Sequence, residues 1–281
     1  EVVIGHFVGS NITISISKII SFGKVKTFAY YHTLTNQILT DSKNSFLKRK
    51  FLFYRKKIFY KLFCDLIVCP SQLAKIDLES AFSATNGIVI LNPMTDRLKD
   101  RKCSPKDDIV VSYLGRLDTS KGVVELINAF EIFKIKNLKS KLILNIAGTG
   151  YQQTEIEYLA NKNSSINYYG GLPYSEIDHY LLNSHFAIIP SKIDALNMVG
   201  VESMMNATPL LISNGTGLAN YLTDNKECFK FDPNIDSIVS IFEKLEDNID
   251  KYNEMSKNAR NTYLDLFSMD NYFKEFLKII E

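Results

Sequence analysis

Two acids and two bases stand at spacings that could do chemistry. Asp194 lies in the turn of "PSKIDALNMVGVES" (190–203), and Glu202 follows eight positions later. Arg116 and Lys121 lie in "YLGRLDTSKG" (113–122). Each pair follows an apolar run, "IVVSYLG" (109–115) or "HFAIIPS" (185–191), that reads as a buried strand. The second run leads into a helical stretch, "NMVGVESMMNA" (197–207). Free backbone N–H groups and the helix dipole at 197–199 would attract a phosphate. Arg116 and Lys121 would neutralise it from the neighbouring loop. A carboxylate one or two turns into the helix, Glu202, could accept two hydrogen bonds from a ribose diol. One in the turn, Asp194, could reach sugar hydroxyls beyond a diphosphate. Glu202 also sits in a largely apolar stretch, where an unpaired charge is costly. Together these parts describe a site for a nucleoside diphosphate sugar.

Such a site needs strand ends to carry it, and the chain supplies them in alternation with helices. In the first part the strands are "EVVIGHFVG" (1–9), "KVKTFAYYHT" (24–33), "CDLIVCPS" (64–71) and "GIVILNP" (87–93). Helices are expected at "ITISISKII" (12–20), "FLKRKFLFYRKKIFYKLF" (46–63) and about 72–82. "SPKDD" (104–108) carries the turn signals of a linker, after which the pattern restarts. Strands follow at 109–115, 140–150, 166–172, 185–191 and 209–213, with helices at 122–134, 152–162, 175–184, 197–207, 235–247 and 250–266, and a last one from 270. Strand and helix in alternation mean parallel α/β sheets, whose ligands bind outside the carboxyl ends of the strands. The Gly-rich turn "IAGTG" (146–150) lies at one such end; alone it reads as a turn former.

Composition sets bounds. At 281 residues, 46% hydrophobic and 23% charged, the chain has material for two domains of ordinary size. The net charge of +2 hides an asymmetry: residues 1–105 hold 16 Lys/Arg against 7 Asp/Glu, the remainder 17 against 24. A basic front half favours anionic partners. Residues 43–63 hold eight basic residues and no acid, interleaved with Phe, Leu, Tyr and Ile; Phe51, Tyr54, Ile58 and Leu62 fall at helical spacing. That stretch reads either as a helix packed on a sheet with a basic rim or, the reading preferred here, as an interfacial helix meeting anionic lipid. No nucleic-acid motif accompanies it. Cys64, Cys69, Cys103 and Cys228 form no C-x-x-C pair, so reduced thiols are expected, with no metal site.

The run Pro190-Ser191, Asp194, Ala195, Leu196, Asn197, Glu202, Ser203-Met204, Ala207 and Pro209 resembles the hallmark of the retaining glycosyltransferases of family 4, and Gly115, Arg116, Leu117, Lys121 and Gly122 resemble their "GRL…KG" element. In the first half, "GHFVG", "YYHT", "CDLIVCPS" and "VILNP" resemble the later strands of the family's acceptor domain. The resemblance implies the α/β GT-B fold: two Rossmann-like parallel-sheet domains facing across a cleft. The expected divisions are 1–105, an acceptor-side domain lacking its first strand and Gly-rich loop; 106–268, a donor-binding domain; and 269–281, a helix crossing back to the first domain. The chain departs from the family at Asp194, which replaces a Glu, and at Ala195-Leu196-Asn197, which replace Gly-Phe-Gly.

The resemblance also implies roles. Arg116 and Lys121, with Gly115, would bind the donor diphosphate, and the amides of Met198 and Val199, after Asn197, would cap its phosphates. Glu202 would hold the ribose, Asp194 the transferred sugar, and Gly171 the base through its backbone. His32 would lie near the reacting centre. The expected reaction is metal-independent transfer of a hexose, with no cofactor, from a UDP-sugar or a GDP-sugar. The acceptor would be a glycan or lipid-linked acceptor of bacterial capsule, O-antigen or exopolysaccharide synthesis. The expected location is cytoplasmic, peripheral on the inner face of the membrane. Two rivals stand beside it. A nicotinamide-dependent oxidoreductase lacks its G-x-G-x-x-G fingerprint. A non-catalytic relative would retain only donor or membrane-surface binding.

Overall fold

The structure, a computed structural model, describes residues 1–7, 9–36, 39, 45–98 and 108–280. The chain divides into two compact units, Glu1–Asn92 with Tyr272–Glu281, and Pro93–Asn271.

The first unit runs β1 (Val2–Gly5), α1 (Ser10–Ile20), β2 (Lys26–Tyr30), α2 (Phe46–Leu62), β3 (Leu66–Cys69), α3 (Gln72–Phe82) and β4 (Gly87–Val89). Its strands form one parallel sheet in the order β1-β2-β3-β4. The residues that stop a strand also start the next helix. After β3 the chain turns at Pro70, and Ser71 Oγ accepts the Ala74 N–H at 3.1 Å, a side-chain N-cap. Residues of the closing helix α10 (Met269–Ile280) cover this sheet: Tyr272, Phe276 and Ile279 pack on Tyr30, Val68 and Ile90.

The second unit runs β5 (Ile109–Leu114), α4 (Val123–Lys136), β6 (Leu142–Ala147), α5 (Gln153–Ala160), β7 (Ile166–Tyr168), α6 (Tyr174–Leu182), β8 (Phe186–Ile189), α7 (Met198–Met205) and β9 (Leu210–Ser213). It continues with β10 (Cys228–Phe231), α8 (Ile235–Asp247) and α9 (Tyr252–Leu266). The six strands form a parallel sheet in the order β10-β9-β8-β5-β6-β7. Its central strands β8 and β9 are buried on both faces, as strands between two helix layers must be. One core lies where α4 meets α8: Phe130, Phe133 and Phe242 are fully buried, with ring centroids 5.4–6.2 Å apart. Truncating one such ring costs about 3–5 kcal/mol.

Two expectations change. The edge strand β10 was not foreseen; "CFKF" is too short, and too broken by Lys230, to announce itself. The unit boundary falls at Asn92/Pro93, ahead of the expected 105/106, and residues 99–107, with Cys103, lie outside the described ones. The physical reason is a strap. The Met94 N–H donates to Phe267 O at 2.8 Å, Tyr263 Oη donates to Met94 O at 2.7 Å, and Arg260 pairs with Asp96. These bonds fix 94–97 to the second unit before the linker residues begin. α2 exposes most of its apolar stripe. Phe51, Tyr54 and Leu62 are 64–67% exposed, whereas Lys56, Phe59 and Tyr60 are buried. Three of the four stripe residues therefore face out, the arrangement the interfacial reading expects, and Ile58 is half-buried. Lys43, which opened the basic stretch, lies outside the described residues.

Candidate functional site

From β5 the chain moves to β6 and β7 on one side; β8, β9 and β10 lie on the other. The order reverses between β5 and β8, and at such a switch point the loops leave the strand ends in opposite directions and open a crevice. The two loops that carry the candidate charges, 115–122 and 190–197, leave these two strands.

Glycines let the loops pack backbone on backbone. A Cβ at Gly148 would lie 1.8 Å from Gly115 O, and one at Gly150 would lie 2.2 Å from Leu117 O. One at Gly122 would meet Pro190 O at 2.5 Å, and one at Gly215 would meet Lys192 O at 2.2 Å. Hydrogen bonds run through the same contacts: Leu117 N–H to Thr149 O at 2.9 Å, Lys192 N–H to Ser120 O at 2.9 Å. The G-x-G at 148–150 thus serves close backbone packing at the turn. Gly115 lies at φ 153° and Gly122 at φ 70°, conformations that L side chains rarely adopt.

Lys121 Nζ lies 2.5 Å from Asp194 Oδ2, and Asn197 Nδ2 donates to the same oxygen at 3.1 Å. Both charged side chains are mostly buried, 16% and 18% exposed. Asp194 is held by backbone on both sides, its N–H donating to Gly215 O and its carbonyl accepting from Gly217 N–H. Asn197 is the N-cap of α7: its Oδ1 accepts the Gly200 N–H at 2.9 Å, with its own φ at 76°. A short polar side chain tolerates that left-handed conformation. The N-cap takes the Gly200 amide, so the amides of Met198 and Val199 in the first turn remain for an anion. One ammonium, one carboxylate and one helix N-terminus thus meet within two short loops.

Glu202 stands on the next turn of α7 and is buried, 7% exposed. Its partner was not legible in the sequence. Arg97 Nη2 donates to Glu202 Oε1 at 2.5 Å, and the same guanidinium pairs with Asp178, Nε to Oδ2 at 2.8 Å and Nη2 to Oδ1 at 3.0 Å. Asn206 Nδ2 also donates to Asp178, and the Arg97 guanidinium lies 5.0 Å from the centre of the Tyr174 ring. Burial raises the Glu202 pKa above its ordinary value, against the opposing pull of Arg97. Burial also opposes ionisation of Asp178, but the bonds from Arg97 and Asn206 outweigh it and hold that carboxyl below its usual range. The one sequence signal for this cluster was an acid in an apolar helix. It required a cation but could not say that the cation lies 105 positions earlier.

The other expected residues are more scattered. Arg116 is 66% exposed and pairs with Asp118 at 3.4 Å, so it does not share the Lys121–Asp194 contact. Gly171 follows Gly170, which sits at φ 69°, and a Cβ at Gly171 would press on the Thr149 methyl at 2.9 Å. His32 belongs to the first unit. Its Nε2 lies 3.2 Å from His6 Nδ1, and His6 stacks on Tyr30 with centroids 4.0 Å apart. Burial lowers the pKa of both imidazoles, and His32 is lowered further by His6. Cys64, Cys69 and Cys228 are free, and burial pushes each thiol up to about 12, which leaves them inert. Among the described residues, no cluster of three His, Cys, Asp or Glu is placed to hold a metal, and no helix is long and apolar enough to cross a membrane.

Comparison with known proteins gives this geometry a context. Over 219 residues the chain is 24% identical to an uncharacterized 41.2 kDa protein in the cps region of Klebsiella pneumoniae, covering 74% of this chain and 57% of that one. Over 232 residues it is 21% identical to the lipopolysaccharide 1,2-N-acetylglucosaminetransferase of Salmonella typhimurium, covering 75% and 60%. The chain thus spans less than two thirds of the length of these curated relatives. Among solved structures, the Anabaena HepE protein in complex with UDP and glucose superposes with a TM-score of 0.81 at 16% identity, over 99% of this chain and 77% of that one. That likeness shows the fold, two parallel-sheet Rossmann-like domains of the GT-B type. The sequence profile of the family described as Glycosyl transferases group 1 matches residues 94–262, more than half of the chain, and the protein belongs to that family.

Proposed function

We propose that the protein is a retaining glycosyltransferase of family 4. It moves a hexose from a nucleoside diphosphate sugar, UDP-linked or GDP-linked, to a glycan or lipid-linked acceptor in bacterial surface polysaccharide assembly. The observation that carries this reading is the constellation at the β5/β8 switch point: Lys121, Asp194 and the α7 N-terminus together, with Glu202 one turn along. The cps-region and lipopolysaccharide relatives support the pathway, and UDP in the HepE complex supports the donor class.

In this reading the bond from the anomeric carbon to the distal phosphate oxygen breaks. The acceptor oxygen bonds to the same face of that carbon, and its proton passes to the departing phosphate. Charge grows on the diphosphate. Lys121 and the amides of Met198 and Val199 stabilise it, and Arg116 contributes from the exposed rim. Asp194 takes hydroxyls of the transferred sugar, and Asn197 fixes its orientation. Glu202, kept ionised by Arg97, accepts the ribose diol. The backbone at Gly171 meets the base. His32 serves the acceptor side. No step is routed through a metal or cofactor. The exposed aromatic and basic face of α2 would hold the enzyme at the anionic inner face of the membrane.

The test is ligand-detected NMR with UDP-, GDP- and ADP-sugars on the whole chain and on Glu202→Ala. One donor should bind the parent and be lost from the variant. If a folded sample binds none, or Glu202→Ala binds as the parent does, the donor site is misassigned.

A further inference from the structure

Asp77 stands on α3 with no cation against it among the described residues; its neighbours Lys75 and Glu79 pair with each other at 3.8 Å. Three neutral donors take the place of a cation. Tyr31 Oη donates to Asp77 Oδ2 at 2.5 Å, the Thr35 N–H donates to the same oxygen at 2.8 Å, and Thr35 Oγ1 donates to Oδ1 at 2.6 Å. Both carboxylate oxygens are engaged, and every donor comes from one turn, 31–35, which lies 42 to 46 positions earlier. Hydrogen bonds to a carboxylate are about twice as strong as neutral ones. The helix does not need them to stay in place, because Ala74, Leu78 and Phe82, each fully buried, seat α3.

The turn is what needs them. β2 ends at Tyr30, and residues 31–34 belong to neither helix nor strand. Tyr31 is gripped at both ends of its side chain. Its ring meets Tyr60 and Phe82 edge-on, with centroids 5.9 and 6.2 Å away, and Asp77 holds its hydroxyl. Burial raises the Tyr31 pKa and the bond to Asp77 raises it further, so that hydroxyl remains a donor. Thr35 closes the other end of the turn. His32 lies between these two anchors. Its ring centroid is 5.4 Å from that of Tyr30 and 5.1 Å from that of Phe7, and its Nε2 is engaged with His6. Its other ring nitrogen has no hydrogen-bond partner among the described residues. The ring borders a cavity of about 350 Å³ that Tyr30, Tyr31, Lys56 and Tyr60 also line, and these with His6 are the titratable groups around it.

We propose that Asp77 is a positioning residue for His32. It touches no substrate. Through Tyr31 on one side and Thr35 on the other it fixes the turn that aims the imidazole. An imidazole acts on a reacting group only from a set distance and angle, and a turn without regular structure does not supply them by itself. This deepens the functional reading above and rests on it for what His32 does; the clamp on the turn stands without it.

The experiment is a pH titration of the whole chain with 15N-labelled histidine, read in long-range 1H–15N spectra, with UDP affinity measured separately. The chain has four histidines, and His179 and His185, in the second unit, serve as internal controls. The variants are Asp77→Asn, Thr35→Val and Tyr31→Phe. Thr35→Val and Tyr31→Phe keep the Asp77 charge and each remove one hydroxyl donor. In all three the His32 and His6 resonances should move, and the His32 midpoint should rise toward 6.5 as the ring leaves its place beside His6. His179, His185 and UDP affinity should stay as in the parent, which reports folding. If Asp77→Asn also shifts the controls, the two hydroxyl variants decide. The proposal is overturned if the variants lose stability in urea while His32 keeps its resonances and midpoint, because Asp77 is then an anchor for the helix alone. It is equally overturned if Asp77→Asn lowers the His32 midpoint and the hydroxyl variants leave it unchanged, because Asp77 then acts only as a nearby charge. A parent chain that shows the clamp but binds no UDP sinks the donor-site reading and leaves this one standing.

Discussion

The two units handle charge in opposite ways. The first, Glu1–Asn92 with Tyr272–Glu281, holds 14 Lys/Arg against 7 Asp/Glu; the second holds 19 against 24. In the second unit the candidate site charges are paired and anchored. Lys121 meets Asp194, Arg97 meets Glu202 and Asp178, and each acid sits on backbone fixed by further hydrogen bonds. In the first unit most of the α2 cations lie on an exposed face, among Phe46, Leu47, Phe51 and Tyr54, which are 62–78% exposed. A compact polyanion is recognised by donors held at fixed distances, so their side-chain entropy must be spent before binding. A broad anionic surface is met by many solvated charges acting additively, and fixed geometry adds little.

That contrast predicts a ladder of effects. Replacing one anchored charge should act on chemistry: Lys121→Met should lower kcat/KM about 10²- to 10³-fold, as steady-state transfer on each variant will show. Removing the cation beneath Glu202 should act on stability. Arg97→Met leaves two carboxylates in a mostly buried place, and a loss of about 3 kcal/mol in urea unfolding is expected. The same variant carries a pH signature. The Glu202 pKa is already raised by burial. Without Arg97 it rises further, so donor affinity should fall away at a higher pH than in the parent as the solution is acidified. If affinity follows the same pH curve in both, Arg97 does not govern Glu202.

In the first unit the effects should be smaller and graded. Each of Lys48→Gln and Arg49→Gln should weaken partition onto anionic vesicles by about 1 kcal/mol, roughly fivefold, and high salt should erase the difference. Equal loss on neutral vesicles would show that charge is not the cause. The mildest effect is a titration. His6 and His32 have pKa values below the usual 6.5. Between the folded and unfolded values the unfolded chain binds more protons, so stability falls as pH drops below the usual value and recovers above it. His32→Gln should flatten that slope in thermal melts between mildly acidic and neutral pH; an unchanged slope would place the titration elsewhere.

The sequence revealed the second unit better than the first, and for physical reasons. Loop chemistry at strand ends is local: Lys121, Asp194 and Asn197 are brought together by three short turns and could be read from spacing. Arg97 could not, because what places it is a strap onto α9, whose bonds span up to 173 positions of chain. On α2 the spacing of Phe51, Tyr54, Ile58 and Leu62 was visible, but spacing alone does not say which face of a helix is inside. The buried Lys56 inverts the usual choice. The role of Gly148 and Gly150 was legible only in the negative, as glycines without a motif.

Those glycines constrain what protein engineering can do here. The turns at the β5/β8 edge are interlocked by main chain, with Gly148 over Gly115, Gly150 over Leu117, Gly122 over Pro190 and Gly215 over Lys192. Lengthening one turn would force its neighbours apart and disturb all of them at once. Selection for a new donor sugar therefore has few routes through insertions or deletions. It is left with side-chain changes, such as those at Ile193 and Ala195 on either side of Asp194. Libraries confined to those positions should yield altered specificity more often than libraries that vary loop length.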